Sequence, residues 1–305
     1  MKKILFFLLI FSSINLFAQT EEPVAQVDTT TYKKVKYPIG YEAKIDEVYK
    51  VVNDWKGRED IYFNPKAEKP TPVIFNIHGG GWNKGVKEAQ GGFNIFFAAG
   101  MAVVNVEYRL SSQATAPAAV EDVRAAMLYV VKNAKKLNID PHQIVIMGGS
   151  AGGHLALMAG LLKHNKKFDG EYKRVKKYTI AAIIDKSGIT DVWDWAYGKI
   201  KTSKSATQWL GEKAKDSVFA KSVSPIWYVE KSSPPTLIVH GDADPTVPYQ
   251  HSVDLKKKLD EAGVKNEFLT VKGGDHGKNY TKEQKTEISN TIIKFLTELK
   301  IIGKS

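Results

Sequence analysis

Short apolar runs that alternate with longer helical stretches constrain the fold of this 305-residue chain more than any other feature. The runs are rich in valine and isoleucine, which is typical of strands buried on both faces of a parallel sheet. They lie at 73–77, 102–106, 144–147, 180–184, 236–239 and 267–271. Because strands and helices alternate along the chain, the sequence predicts an α/β fold with a mostly parallel central sheet flanked by helices.

Local signals elsewhere in the chain support this interpretation. A helical pattern follows Pro117, and proline is well suited to a first helical turn. Thr281 and Gln284 have the spacing of a capping box and predict the start of a C-terminal helix. Residues 48–52 and 60–63 are expected to form two antiparallel edge strands around Gly57.

A serine stands at the centre of a glycine-rich turn between a predicted strand and a predicted helix. The segment is GGSAGG, with Ser150 in the G-x-S-x-G pattern. Such a turn is so tight that its central residue projects its side chain outward. In an open α/β sheet, ligands bind at the carboxyl ends of the strands. Ser150 is therefore the candidate nucleophile.

The run 73–77 leads into HGGGW at residues 78–82. Three successive glycines allow a loop to present backbone N–H groups to a developing oxyanion. A phosphate-binding loop is the alternative, but no Lys-Ser/Thr pair follows it. We therefore expect this loop to donate backbone N–H groups to an oxyanion and His78 to brace the loop rather than act as a base.

The last two predicted strands are followed by an acid and a histidine. The first strand leads into HGDAD, in which Asp242 and Asp244 are both candidate orienting carboxylates, and Asp244 is favoured. The second leads into a loop in which His276 is the candidate general base, with Asp275 expected to point elsewhere. His240 is expected to pack in the interior.

Together, these motifs resemble the HGGG-bearing esterase group of the α/β-hydrolases. The similarity is carried by HGGGW, EYRLS, GGSAGGHLAL, HGDADPTVP and GDHG, and it is greatest to exported bacterial acetyl-xylan and feruloyl esterases. It implies an α/β-hydrolase fold, a triad of Ser150, Asp244 and His276, and an oxyanion hole from Gly80, Gly81 and the amide of Ala151. No cofactor and no metal are implied.

The N-terminus predicts export. Lys2 and Lys3 precede an apolar run that ends near Ala18, a pattern typical of a secretory signal peptide and too short for a membrane span. We expect a signal peptide at 1–18, a flexible leader at 19–35 and a catalytic domain at 36–305. The mature protein is expected in the periplasm or outside the cell, without stable membrane insertion.

Charge and cysteine content exclude other classes of function. The net charge is +11, or +9 without the two lysines of the signal peptide, and the chain has no cysteine to form disulfides or a thiolate site. The lysines are dispersed and no nucleic-acid motif accompanies them, so they indicate a solvated basic surface and no nucleic-acid partner.

The segment at about 191–230 is expected to form a small lid, because four of the six tryptophans lie there. Trp193 and Trp195, together with Trp82, are candidate substrate contacts. The alternative is that these rings only pack the lid.

The sequence thus predicts a secreted serine carboxylesterase that hydrolyses short-chain acyl or feruloyl esters, on small molecules or plant polysaccharide, through an acyl-enzyme. A general carboxylesterase, a formamidase or peptidase of the same fold, and a non-catalytic binding protein are the alternatives.

Overall fold

The part of the chain that the structure describes, residues 31–163, 165–175 and 177–303 of a computed structural model, is built around an eight-stranded sheet. The described residues from Lys33 onward form one compact unit, to which this sheet belongs. The strands are β1 (Glu42–Val52), β2 (Trp55–Phe63), β3 (Thr71–Ile77), β4 (Ala102–Val106), β5 (Ile139–Gly149), β6 (Ile180–Lys186), β7 (Thr236–Gly241) and β8 (Asn266–Val271). Their spatial order is β1-β2-β4-β3-β5-β6-β7-β8. Strands β1, β2 and β4 pair antiparallel and all other neighbours pair parallel, which confirms the predicted α/β fold.

The edge hairpin is present, but the expectation that it turns around Gly57 is wrong. The chain turns at Asn53, which has φ +51°, and Val52 pairs with Trp55. Gly57 lies within β2 instead. A Cβ there would come within 2.6 Å of the rings of Trp55 and Tyr49, so the glycine makes room for two aromatic side chains rather than for a turn.

Helices cover both faces of the sheet. They are α1 (Asn94–Ala98), α2 (Ala118–Asn133), α3 (Ala151–Leu162), α4 (Val192–Tyr197), α5 (Lys204–Leu210), α6 (Ser217–Ser222), α7 (Gln250–Glu261) and α8 (Lys282–Glu298). Successive residues of β3 belong to the hydrophobic clusters on opposite faces of the sheet. Phe75 packs with α2 and α3 on one face, and Ile74 packs with α1 and α8 on the other. This alternation follows from the two-residue period of a strand. The predicted capping box of α8 is confirmed, with Thr281 and Gln284 bonded reciprocally.

The tryptophan-rich segment between β6 and β7 forms the short helices α4, α5 and α6. Its interior is anchored by Trp209, which is fully buried and stacks on Trp82 with ring centroids 4.4 Å apart. Trp227, by contrast, is 54% exposed. The segment therefore has a small aromatic core of its own that joins the glycine-rich loop after β3.

Removal of the Trp209 ring is expected to destabilise the protein. Trp209→Ala should lower the free energy of unfolding by about 3–5 kcal/mol, because it leaves a cavity between Trp82 and the helices. Urea denaturation measures the effect. Trp227→Ala is the matched control and should change stability by less than about 1 kcal/mol. Equal stabilities of the two variants would contradict this packing.

The predicted signal peptide, and all of the leader except residues 31–35, lie outside the described residues. Within the described part, no helix has the length and apolar character needed to cross a membrane.

Candidate active site

The carboxyl ends of the parallel strands open into a cavity of about 800 Å³. Its walls come from the loops after β3, β5, β6, β7 and β8 and from one face of α8. The helical segment after β6 contributes Trp195, Ser203 and Ser205. This is the edge of the sheet at which the sequence motifs converge.

Ser150 stands between β5 and α3 in a strained conformation, with φ +57° and ψ −124°. Its N–H donates to the carbonyl of Lys186 at 2.8 Å, and its own carbonyl accepts from the His154 N–H at 3.0 Å. A Cβ on Gly152 would lie 2.2 Å from the carbonyl oxygen of Ile77, so only glycine allows α3 to pass this close to β3. The turn is thus fixed on both sides, and Ser150 lines the cavity.

The glycine-rich loop after β3 lies beside this turn. Gly80 and Gly81 have φ of +115° and +59° and line the cavity. Ala151 is the first residue of α3, where N–H groups have no acceptor within the helix. Among the backbone hydrogen bonds of the described residues, the N–H groups of Gly80, Gly81 and Ala151 donate none.

His78 braces the loop. Its Nδ1 donates to the carbonyl of Gly79 at 2.8 Å, and its ring stacks on Tyr108 at 4.2 Å. The Tyr108 hydroxyl donates in turn to the His78 carbonyl at 3.0 Å. Burial lowers the pKa of His78 to about 4, so the ring is neutral near pH 7. This geometry agrees with the bracing role expected for His78.

Asp244 and His276 are in direct contact. Oδ2 of Asp244 lies 2.5 Å from Nδ1 of His276, and Oδ1 accepts from the N–H groups of Thr246 at 2.7 Å and Val247 at 3.1 Å. Burial acts to raise the pKa of Asp244, but hydrogen bonds from its imidazole and amide donors outweigh it and hold the pKa well below its ordinary value. The ionised carboxylate requires His276 to carry its proton on Nδ1.

Among the hydrogen bonds of the described residues, none joins Asp242 or Asp275 to an imidazole. Asp242 accepts from the Gly273 N–H at 2.6 Å and ties the loop after β7 to the one after β8. Asp275 accepts from the Gly277 N–H at 2.9 Å and from the Asn279 side chain at 2.8 Å. The geometry therefore favours Asp244 over Asp242 as the partner of His276.

His240 has a role at the site that the sequence interpretation missed. It is fully buried, as expected, but its Nε2 donates to Oδ2 of Asp244 at 3.1 Å. Its Nδ1 accepts from the Ser252 hydroxyl at 2.7 Å. Asp244 is thus held by two imidazoles. The four-residue spacing of His240 and Asp244 in HGDAD was the sequence feature that could have indicated this contact.

Ser150 and His276 line the same cavity. The hydrogen bonds of residues 31–163, 165–175 and 177–303 include none between the Ser150 hydroxyl and His276, and Nδ1 of the ring is taken by Asp244. The remaining nitrogen, Nε2, therefore keeps its lone pair. In unliganded enzymes the bond between nucleophile and base is often long and shortens in the substrate complex.

The expected substrate contact of Trp82 is wrong, and that of Trp193 stays a prediction. Trp82 is fully buried, because the loop turns its indole inward onto Trp209, and its Nε1 donates to Nδ1 of His154 at 3.2 Å. Trp193 packs against Tyr197 at 4.7 Å and is not part of the cavity wall. Trp195 does line the cavity.

A buried carboxyl group supports the turn from behind. Asp185 of β6 is fully buried, and its Oδ1 would lie 2.4 Å from a Cβ on Gly153 in the first turn of α3. Burial raises the pKa of Asp185 to about 7, although the Gly188 N–H acts in the opposite direction.

This pKa predicts a pH-dependent effect of Asp185→Asn. An unfolded aspartate titrates near 3.9, so between about pH 4 and 7 only the folded state holds the proton, and raising the pH removes stability. The stability of the native protein relative to Asp185→Asn should therefore fall by roughly 2–3 kcal/mol from pH 5 to pH 8. Urea unfolding of both proteins at the two pH values measures the difference, and a pH-independent difference would contradict the prediction.

The fold and the site geometry define an α/β-hydrolase. The chain belongs to the BD-FAE family, which matches residues 59–259. It is similar to esterase LipC of Mycobacterium tuberculosis, with 24% identity over 241 residues that cover 76% of this chain and 58% of LipC. Across four such curated relatives, the chain spans 46% to 69% of their length.

Solved structures show the same relationship. A truncated carbohydrate esterase from gut microbiota has a TM-score of 0.71 and 29% identity, covering 85% of this chain and 98% of its own. An acetyl ester-xyloside bifunctional hydrolase from Caldicellulosiruptor lactoaceticus has a TM-score of 0.69 and 25% identity, covering 82% and 91%. The chain is thus similar to solved esterase structures over more than four fifths of its length.

Proposed function

We propose that the protein is a serine carboxylesterase with Ser150 as nucleophile, His276 as general base and Asp244 as the acid that orients His276. The contact between Asp244 and His276 at the cavity that Ser150 lines carries the proposal. Because Nδ1 of His276 donates to Asp244, Nε2 is the nitrogen free to accept the serine proton.

In the proposed reaction, Oγ of Ser150 attacks the ester carbonyl while His276 accepts its proton. The N–H groups of Gly80, Gly81 and Ala151 stabilise the oxyanion, and a single such donor contributes about 3–4 kcal/mol in comparable enzymes. His276 then protonates the leaving alcohol. Water, activated by the same imidazole, hydrolyses the acyl-enzyme and restores the serine.

We propose short-chain acyl or feruloyl esters as the substrates, attached to plant polysaccharide. The support is similarity to a carbohydrate esterase and to an acetyl ester-xyloside hydrolase, together with a cavity of about 800 Å³ that has room for an acyl group and part of a sugar. Trp195, although mostly buried, is among the side chains that line that wall.

Two measurements test this proposal. A fluorophosphonate probe should label Ser150, as peptide mass spectrometry would show, whereas a non-catalytic binding protein would stay unlabelled. Hydrolysis of acetylated xylan, methyl ferulate, 4-nitrophenyl acetate and N-formylkynurenine then separates the candidate substrates. Preference for N-formylkynurenine would show that the protein is a formamidase rather than an esterase.

We further propose that the protein is exported to the periplasm or the extracellular space. The basic and apolar pattern of residues 1–18 supports this. The intact mass of the protein isolated from its native host should correspond to a chain that begins at Gln19. A cytosolic protein that retains Met1 would contradict export.

A further inference from the structure

The charged side chains that line the cavity are lysines. Lys84, Lys186 and Lys285 contribute to its wall together with His276, and no aspartate or glutamate of the described residues does. Asp244, the acid behind His276, is fully buried and its oxygens are already bonded. A bound substrate therefore meets a wall that contains three lysines and, among the described residues, no carboxylate.

Lys186 is the cavity lysine whose backbone is bonded to the candidate nucleophile. It is the last residue of β6 and pairs with Gly149, the residue before Ser150. Its carbonyl accepts from the Ser150 N–H at 2.8 Å. A Cβ on Gly149 would lie 3.9 Å from Cε of Lys186, so the lysine side chain runs along the cavity side of the turn. Unlike Lys84 and Lys285, it is only partly exposed.

The charge of Lys186 has no counter-ion among the described residues. Among the ion pairs of residues 31–163, 165–175 and 177–303, none involves Lys84, Lys186 or Lys285. Lys87, which is more deeply buried, is bonded to three carboxylates. Burial lowers the pKa of Lys186. Because a desolvated, unpaired cation is costly, an anionic ligand at this position would be favourable.

We propose that the cavity selects esters that carry a carboxylate and that Lys186 binds this carboxylate, with Lys84 and Lys285 extending the positive surface. The inference rests on the proposed esterase function and adds the charge of the substrate to it. The carboxylate can belong to the alcohol, as in an acetylated uronic acid, or to the acyl group, as in a hemisuccinate. Both present the same chemistry to the ammonium group of Lys186.

The experiment compares matched neutral and anionic esters. The acyl arm uses 4-nitrophenyl butyrate and 4-nitrophenyl hemisuccinate, whose acyl groups both have four carbons. The alcohol arm uses acetylated glucuronic acid and its methyl ester. The ratio of kcat/KM for the anionic ester to that for the neutral ester is measured for the native enzyme, Lys186→Met and Lys186→Arg. Lys135→Met is the control, because Lys135 is exposed beyond α2, away from the cavity wall.

The native enzyme should prefer the anionic ester in at least one arm, and that arm identifies the source of the carboxylate. Lys186→Met should lower the ratio about 10- to 100-fold, mainly through KM, which is the scale of a hydrogen bond to a charged group. Lys186→Arg should keep most of the native ratio, and Lys135→Met should leave it unchanged. Added salt should reduce the preference of the native enzyme for the anionic ester.

Two results would overturn the inference while the esterase function stands: a native enzyme that prefers the neutral ester in both arms, or an unchanged ratio in Lys186→Met. No hydrolysis of any of the four esters by the native enzyme would overturn the proposed function, and the inference with it.

Discussion

Replacing Ser150 by alanine is expected to lower kcat for 4-nitrophenyl acetate by about 10⁴- to 10⁶-fold. The variant loses the hydroxyl that forms the acyl-enzyme in the proposed mechanism, while the proposed oxyanion donors and the binding cavity remain. Its fold should be unchanged, because the backbone N–H and carbonyl of residue 150 keep their bonds to Lys186 and His154. Steady-state hydrolysis and circular dichroism measure the two effects.

Ser112→Ala provides the control for this experiment. Ser112 is exposed and is not part of the cavity wall, so its removal should leave the rate within the error of the assay. If Ser150→Ala retained native activity, or if a fluorophosphonate still labelled it, the proposed mechanism would be wrong.

The second large effect is expected for Asp244→Asn, which should lower kcat by about 10⁴-fold. An asparagine amide facing Nδ1 of His276 favours the tautomer with the proton on Nε2, and that nitrogen can then no longer accept the proton of Ser150. The loss should persist across the pH range in which the native enzyme is active. A pH profile of kcat measures it.

Asp242→Asn is the matched comparison, because the two acids lie two residues apart in the same loop. An asparagine at 242 can still accept from the Gly273 N–H, so kcat should change less than about 10-fold. Should Asp242→Asn prove the more damaging of the two, the orienting role would belong to Asp242.

The turn around Ser150 and the glycine-rich loop could be predicted from the sequence because their geometry depends on adjacent residues. GGSAGG allows the strained turn and HGGG the loop, whatever the rest of the chain does. Likewise, the alternation of apolar runs and helical patterns was sufficient for the α/β fold. The position of the hairpin turn could not be predicted in this way. Gly57 makes room for the rings of Trp55 and Tyr49, and that need depends on side-chain packing across the pair of strands.

The sequence by itself determined the class of fold, the turn that carries Ser150 and the two loops that supply an acid and a histidine. Only the tertiary structure decided that Asp244 rather than Asp242 meets His276, that His240 holds the same carboxylate and that Trp82 points inward. It also decided that Lys186 lines the cavity without an ion pair to any described residue. The reason is physical. A local pattern fixes backbone conformation over a few residues, whereas the direction and partners of a side chain depend on strands and helices that are distant in the chain and adjacent in the sheet.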